Sequence, residues 1–143
     1  MPVRAKRFEY AIAIDRAGFL TAEGEGAIDP HAVWTADHLL LAAVARCTIQ
    51  SLRFHADRAG VDMVASAEAH GIVTKRESDG RYAFVEIECG LDVELDSADD
   101  EEIERLLALG ERDCFVGSSL TASPRYRWRV NGSERRPAAR VEA

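Results

Sequence analysis

Sulfur is the most reactive chemistry this 143-residue chain offers, and two of its three cysteines stand in distinctive surroundings. Cys47 closes the run Trp34-Thr35-Ala36-Asp37-His38-Leu39-Leu40-Leu41-Ala42-Ala43-Val44-Ala45-Arg46-Cys47. That run reads as the opening of a long apolar helix, with the thiol about three turns in. Cys114 lies far downstream, in Asp113-Cys114-Phe115-Val116-Gly117-Ser118-Ser119-Leu120. The thiolate, not the thiol, is the nucleophile, so a reactive cysteine needs something that stabilises negative charge. Position alone reads Cys47 as a small core hydrophobe. Mid-helix it gains little from the helix dipole, which acts in the terminal turns, so a functional Cys47 requires a nearby cation.

Other chemistries find less support. His31, His38, His55 and His70 lack metal-ligand spacing, and the cysteines form no C-x-x-C pair, so no metal or other cofactor is expected. His55 and His70 are the candidates for a base to Cys47, as in a Cys-His hydrolase, but His55 lies two turns beyond it on the expected helix, too far for a hydrogen bond. Ser118 and Ser119 read as a turn into a last strand. Cys89 falls on the apolar face of a strand pattern and reads as core. His38 belongs to the helix start, at an interface or simply packed.

The elements that must hold the two cysteines follow from periodicity. Residues 8–14 alternate as a strand, residues 16–18 mark a turn, and residues 19–22 and 25–28 suggest short strands around Gly24. Thr35 is an N-cap, and Asp37 adds favourable charge in the first turn. Leu40, Val44, Cys47, Ser51 and Phe54 form one stripe, widened by Leu39 and Ala43, and Gly60 ends the helix. Residues 63–75 and 81–95 read as a hairpin around Ser78-Asp79-Gly80. In its second strand Val85, Ile87, Cys89, Leu91, Val93 and Leu95 share the buried face. Ser97 caps a second helix, with Ile103, Leu106 and Leu107 as its apolar side and an end near Gly110. Residues 120–130 form the last strand. This gives one domain over residues 1–130 and a loose polar tail over 131–143, in which Asn131-Gly132-Ser133 is a turn.

Composition narrows the partners. Hydrophobic residues make up 47% and charged residues 30%, the balance of a soluble globular domain. A net charge of −7 argues against nucleic acid, which is held by clustered Lys and Arg. Arg125, Arg127, Arg129, Arg135 and Arg136 do cluster, but the first three alternate onto one solvated face. No signal peptide or membrane-spanning run is visible, so a cytoplasmic chain with reduced thiols is expected.

The helix motif around Cys47, Cys114 just after the second helix, and the order of strands and helices resemble the OsmC/Ohr family of thiol peroxidases, over residues 8–130. The resemblance implies an α+β fold: a strongly bent antiparallel sheet packed on a long central helix, in an intertwined homodimer. It implies Cys47 as peroxidatic nucleophile and Cys114 as the resolving thiol. The family stabilises its thiolate with an arginine in a Gly-Arg-x-Gly context. Asp15-Arg16-Ala17-Gly18 stands in the corresponding place, making Arg16 the candidate. Asp37 occupies the position of the glutamate that orients that arginine, one methylene shorter. Phe115 replaces a proline that often follows the second cysteine, and the helix start is closer to the broader OsmC-like group than to Ohr.

Asp37 and Cys47 are ten residues apart, roughly 15 Å along a continuous helix. An Asp37–Arg16–Cys47 constellation thus needs a bend before Cys47 or a second subunit. The family's dimer matches the second solution. The implied activity is reduction of organic hydroperoxides, and of hydrogen peroxide as a further substrate, through a Cys47 sulfenic acid and a Cys47–Cys114 disulfide, with an external dithiol or lipoylated protein as reductant. Two alternatives stay open: a non-enzymatic redox sensor using the same switch, and a dimer binding a small apolar ligand with the cysteines in its core.

Overall fold

The computed structural model describes residues 5–17 and 19–139. Gly18 of the expected turn and residues 140–143 of the expected tail lie outside them. The chain divides into two compact units, residues 1–35 and 36–143.

The N-terminal unit is a three-stranded antiparallel meander of β1 (Ile12–Ile14), β2 (Leu20–Ala22) and β3 (Glu25–Ile28). The strand expected over 8–14 pairs only in its last three residues, because its partner β2 is just three residues long. Between β1 and β2 the Asp15 carboxylate accepts the Phe19 N–H at 3.0 Å, and Arg16 sits exposed in that turn.

The second unit is built on α1 (Ala36–Arg58), 23 residues or roughly 35 Å long. Thr35 stands immediately before it. Its buried residues are Val44, Thr48, Ser51, Leu52 and Ala56. The line through 44, 48, 52 and 56 advances by four, so the inward face is centred there and Cys47 falls on its flank. Phe54, expected on the inward stripe, is turned out for the same reason and is 56% exposed. It carries the Arg58 guanidinium 5.6 Å from its ring centre instead.

β4 (Asp62–Lys75) and β5 (Tyr82–Asp96) form the expected hairpin. Its turn is tied by Arg76 on Asp79 and by the Asp79 carboxylate accepting the Arg81 N–H at 3.0 Å. Ile87, Cys89, Leu91, Val93 and Leu95 are buried as their alternation predicts. Val85 is not. The register shifts at Ile72/Val73, which pair with Glu86 and Phe84, leaving Val85 as the extra residue of a bulge. The inward position passes to Phe84, which packs on the core.

Asp99, not Ser97, caps α2 (Asp100–Arg112), its carboxylate accepting the Glu102 N–H at 2.9 Å. Ser97 lies two residues earlier with φ of 66°, turning the chain out of β5. Helix α2 continues past Gly110, which is buried in its last turn against Leu52 of α1. A β-carbon there would stand 3.4 Å from the Leu52 β-carbon, so this glycine marks a close helix contact and not a stop. Ile103, Leu106 and Leu107 point into the core. A short helix α3 (Phe115–Ser118) follows, and then β6 (Arg125–Val130) and β7 (Ser133–Arg135).

The four-stranded sheet has the order β4-β5-β6-β7. The α+β class is as expected, but β6 runs parallel to β5, where an antiparallel sheet was anticipated. A helical crossover returns the chain to the end of the sheet from which β5 started, and such a connection produces a parallel pair. Arg125, Arg127 and Arg129 share the exposed face of β6, while Trp128 and Val130 are buried. The stretch after residue 130, expected as a loose tail, is held. Asn131 and Gly132 turn the chain with positive φ, and β7 pairs with β6. The Asn131 side chain accepts the Leu95 N–H at 3.0 Å, and the Ala138 N–H reaches the Glu104 carbonyl. Among the described residues no helix is long and apolar enough to cross a membrane.

Candidate active site

Three parts of the second unit bring sulfur together. Helix α1 supplies Cys47 and its neighbour Thr48. Cys114 is the N-cap residue of α3, in extended conformation, so its side chain projects from the junction of α2 and α3. Strand β5 supplies Cys89, whose backbone partner across the parallel pair is Tyr126 of β6. All three cysteines are free thiols.

Cys114, Cys89 and Thr48 are each fully buried, whereas Cys47 is only partly so. The Thr48 hydroxyl lies 3.4 Å from the Cys114 sulfur and 2.8 Å from the Val44 carbonyl, to which it donates. The Tyr126 hydroxyl approaches Cys114 from the sheet side. Gly117 makes room for it: a β-carbon there would stand 2.6 Å from the Tyr126 oxygen and 3.4 Å from the Cys114 sulfur. Tyr126 is positioned by its ring, stacked on Trp128 at 6.4 Å between centres. Trp128 in turn donates to Glu111 at 3.1 Å.

Cys47 and Cys114 are neighbours, and each acts on the ionisation of the other. Burial pushes the Cys47 thiol up, and the neighbouring Cys114 adds to this against the opposing backbone N–H groups of Val116 and Phe115. Burial also works against ionisation of Cys114. There it is outweighed by hydrogen bonds from Thr48, the Gly117 N–H, the Tyr126 hydroxyl and Cys47, and the thiol falls below its ordinary value. Thr48 has one proton and already gives it to Val44, which leaves Tyr126 and Gly117 as the steadier donors. Cys89 is pushed up to about 11 by burial and by the charge on Cys114. Burial and that same charge raise Tyr126, so its hydroxyl keeps a proton to donate. Within this unit the surroundings favour the thiolate of Cys114 over that of Cys47.

Of the residues singled out from sequence, the structure brings Cys47 and Cys114 together. Asp37 lies in the first turn of α1, which runs unbroken to Arg58, so no bend carries it to the Cys47 of its own chain. It lines an apolar cleft of about 350 Å³ with Leu40, Phe84, Ile87, Leu120 and Ala122. Arg16 belongs to the N-terminal unit. His55 bonds Asp113 at 2.7 Å, beside Cys114 in sequence and away from Cys47, and Arg112 also grips that carboxylate. His70 and His38 are exposed. Ser118 ends α3, and Ser119 donates to the Phe115 carbonyl. No group of three His, Cys, Asp or Glu among the described residues is placed to hold a metal. Sequence reasoning passed over Thr48 and Tyr126. Thr48 was visible as a polar residue within an apolar helix stripe, and Tyr126 as an inward position of the alternating 125–130 segment.

A long helix carrying one thiol, a short helix carrying a second, and a mixed sheet closing over both define a thiol-bearing α+β domain. Residues 30–129 match the model of the OsmC-like protein family, and the chain belongs to that family. No curated protein matches the sequence. Among solved structures, an OsmC-like protein of unknown function from Vibrio cholerae is similar with a TM-score of 0.72 at 15% identity, covering 86% of this chain and 100% of its own. An OsmC-like protein from Mycoplasma pneumoniae is similar at 0.65 and 14% identity, covering 90% and 98%. The organic hydroperoxide resistance protein OhrB of Bacillus subtilis is similar at 0.54 and 20% identity, covering 86% and 96%.

Proposed function

We propose that this protein is a cysteine-based peroxidase that reduces organic hydroperoxides. The observation that carries the reading is the pairing of an accessible thiol with a sealed one: Cys47 is partly open, and its neighbour Cys114 is 0% exposed. A substrate from solution meets Cys47 first. Membership in the OsmC-like family and likeness in fold to an organic hydroperoxide resistance protein support a peroxide substrate.

The Cys47 thiolate attacks the terminal oxygen of the hydroperoxide, the O–O bond breaks, and the alkoxide leaves as an alcohol after taking a proton. Cys47 becomes a sulfenic acid. Cys114 attacks that sulfur, hydroxide leaves as water, and a disulfide forms. An external dithiol, free or carried as a lipoyl group, returns both thiols by exchange.

The first step requires charge on Cys47, whereas the surroundings within the second unit favour it on Cys114. A cation beside Cys47 reverses the order, and Arg16 is that cation in this reading. Once Cys47 is an uncharged sulfenic acid, the donors around Cys114 favour the thiolate needed for the second step. Asp37 orients Arg16 from a second copy of the chain, since the straight α1 separates it from its own Cys47. Ile72, Val73, Tyr82 and Val85, all exposed large apolar residues at the outer half of the β4–β5 hairpin, support a homodimer.

The test is free-thiol counting with intact mass on reduced protein, before and after about one equivalent of cumene hydroperoxide. Loss of two thiols with a Cys47–Cys114 disulfide is expected. Three thiols surviving unchanged would sink the assignment.

A further inference from the structure

The surroundings of the two sulfurs differ in a way that orders the reductive half of the cycle. Cys114 is sealed from solvent, the Thr48 hydroxyl lies 3.4 Å from its sulfur, and the Tyr126 hydroxyl shares with that sulfur the space Gly117 leaves open; Tyr126, Thr48 and the Gly117 N–H favour its charge. Cys47 is the sulfur a molecule in solution can reach. In thiol–disulfide exchange the attacked sulfur must be accessible, and the departing sulfur leaves faster the better its thiolate is stabilised. Access selects Cys47 as the sulfur attacked, and the groups around Cys114 then receive the charge of the departing thiolate.

We propose that Tyr126 is a catalytic residue of disulfide reduction: the incoming thiolate attacks Cys47, and Cys114 departs as a thiolate onto the Tyr126 hydroxyl. The inference rests on the Cys47–Cys114 disulfide of the reading above. One thiolate of the external dithiol forms a bond to the Cys47 sulfur. The Cys47–Cys114 bond breaks, and its electron pair goes to Cys114. The second thiol of the reductant, having lost its proton to solvent, then attacks its own partner sulfur in the mixed disulfide and expels Cys47. The reductant ends as a disulfide, the protein has gained two electrons, and the two protons lost by the dithiol are matched by those taken up on the protein thiols.

Tyr126 suits this role better than Thr48. The Thr48 proton already serves the Val44 carbonyl at 2.8 Å. The Tyr126 ring is fixed by its stack on Trp128 and by its strand position opposite Cys89, so its hydroxyl needs no reorganisation to receive the new charge. Gly117 keeps the approach open, because any side chain there would occupy the hydroxyl's place.

The direction of attack is read on the wild-type protein. The disulfide form is exposed briefly to thionitrobenzoate, a coloured monothiol, then acid-quenched, and the free thiol is alkylated. Peptide mass spectrometry is expected to find the adduct on Cys47 and the alkyl group on Cys114; an adduct on Cys114 overturns the proposal. Diamide supplies the same disulfide if hydroperoxide does not, so a failed peroxidase reading and a failed inference give different results. In Tyr126→Phe, reduction by dithiothreitol should slow by about tenfold or more, the worth of one hydrogen bond to a charged atom, with the Cys114 titration moved to higher pH. An unchanged rate overturns the role of the hydroxyl. If that variant does not fold, 3-fluorotyrosine in place of tyrosine keeps the shape and strengthens the donor. Reduction should then quicken, and an unaltered rate again refutes the role.

Discussion

Replacing Gly117 by Ala probes the architecture around Cys114 most sharply. The new methyl carbon would stand 2.6 Å from the Tyr126 oxygen, closer than such atoms approach, and at 3.4 and 3.5 Å from the Cys114 sulfur and the Pro124 ring. Only the first contact forces a movement. Gly117 is buried and its φ is not positive, so alanine meets no backbone penalty. It even recovers about 0.4–1 kcal/mol by restricting the unfolded chain. Overpacking of this kind costs about 1–3 kcal/mol, so a net loss of about 1–2 kcal/mol is expected. For a chain of this length that is a fall of roughly 3–8 °C in Tm. Tyr126→Phe deletes the one offending atom, and in that background the same alanine should cost less than about 0.5 kcal/mol. The assay is a double-mutant cycle by urea denaturation of reduced protein at fixed concentration, because association also shifts apparent stability. If the two substitutions simply add, the Tyr126 hydroxyl does not lie against Gly117, and its assignment to Cys114 falls with it.

Other expectations follow from the same geometry. Arg16→Ala should leave the Cys47 thiol protonated at neutral pH and slow its reaction with cumene hydroperoxide by about tenfold or more, read by stopped-flow thiol loss; an unchanged thiol titration removes Arg16 from the site. Cys89→Ala should destabilise the fold by about 1–2 kcal/mol in urea while the loss of two thiols to hydroperoxide persists. Asp113 is held below the usual carboxylate range, first by Arg112 and then by His55 against the opposing effect of burial. Its contribution is therefore present above the unfolded value of about 4 and lost as pH falls through the lower folded one. Arg112→Ala should move acid unfolding, followed by circular dichroism, slightly to higher pH, a small change because the pair is partly exposed. Asp37→Asn should slow hydroperoxide turnover without lowering Tm, and equal losses in both would mark Asp37 as structural.

The sequence carried the fold wherever local chemistry decides it. Ser78-Asp79-Gly80 could only be a hairpin turn, and the alternation through Ile87–Leu95 could only be a strand with one dry face. It was silent where a partner decides. Val85 obeys the same alternation but loses it to a bulge set by the register of β4. Ser97 and Asp99 are both good cap residues, and the left-handed turn at Ser97 settles which one is used. The direction of β6 depends on a helical crossover, which no window of residues in β6 records. At the site, the two cysteines were legible as thiols in suggestive settings. Their joining depends on packing α3 against α1, and while Thr48 and Gly117 lie beside a cysteine in sequence, Tyr126 arrives from β6. Thr48 was hidden in plain view, being polar at the centre of the helix's apolar face.

The separation of the paired cysteines along the chain carries one more consequence. Helix α1 is followed by the whole hairpin and α2 before Cys114 arrives, so a Cys47–Cys114 bond closes a loop of about 67 residues. By loop-closure entropy such a cross-link disfavours the unfolded chain by roughly 4 kcal/mol. Each oxidation would therefore lock α1 to α3 and tighten the whole second unit, and each reduction would release it. A proteolysis or hydrogen-exchange clock run on the two redox forms would keep different time, and the oxidant load borne by the protein would set how long it lasts.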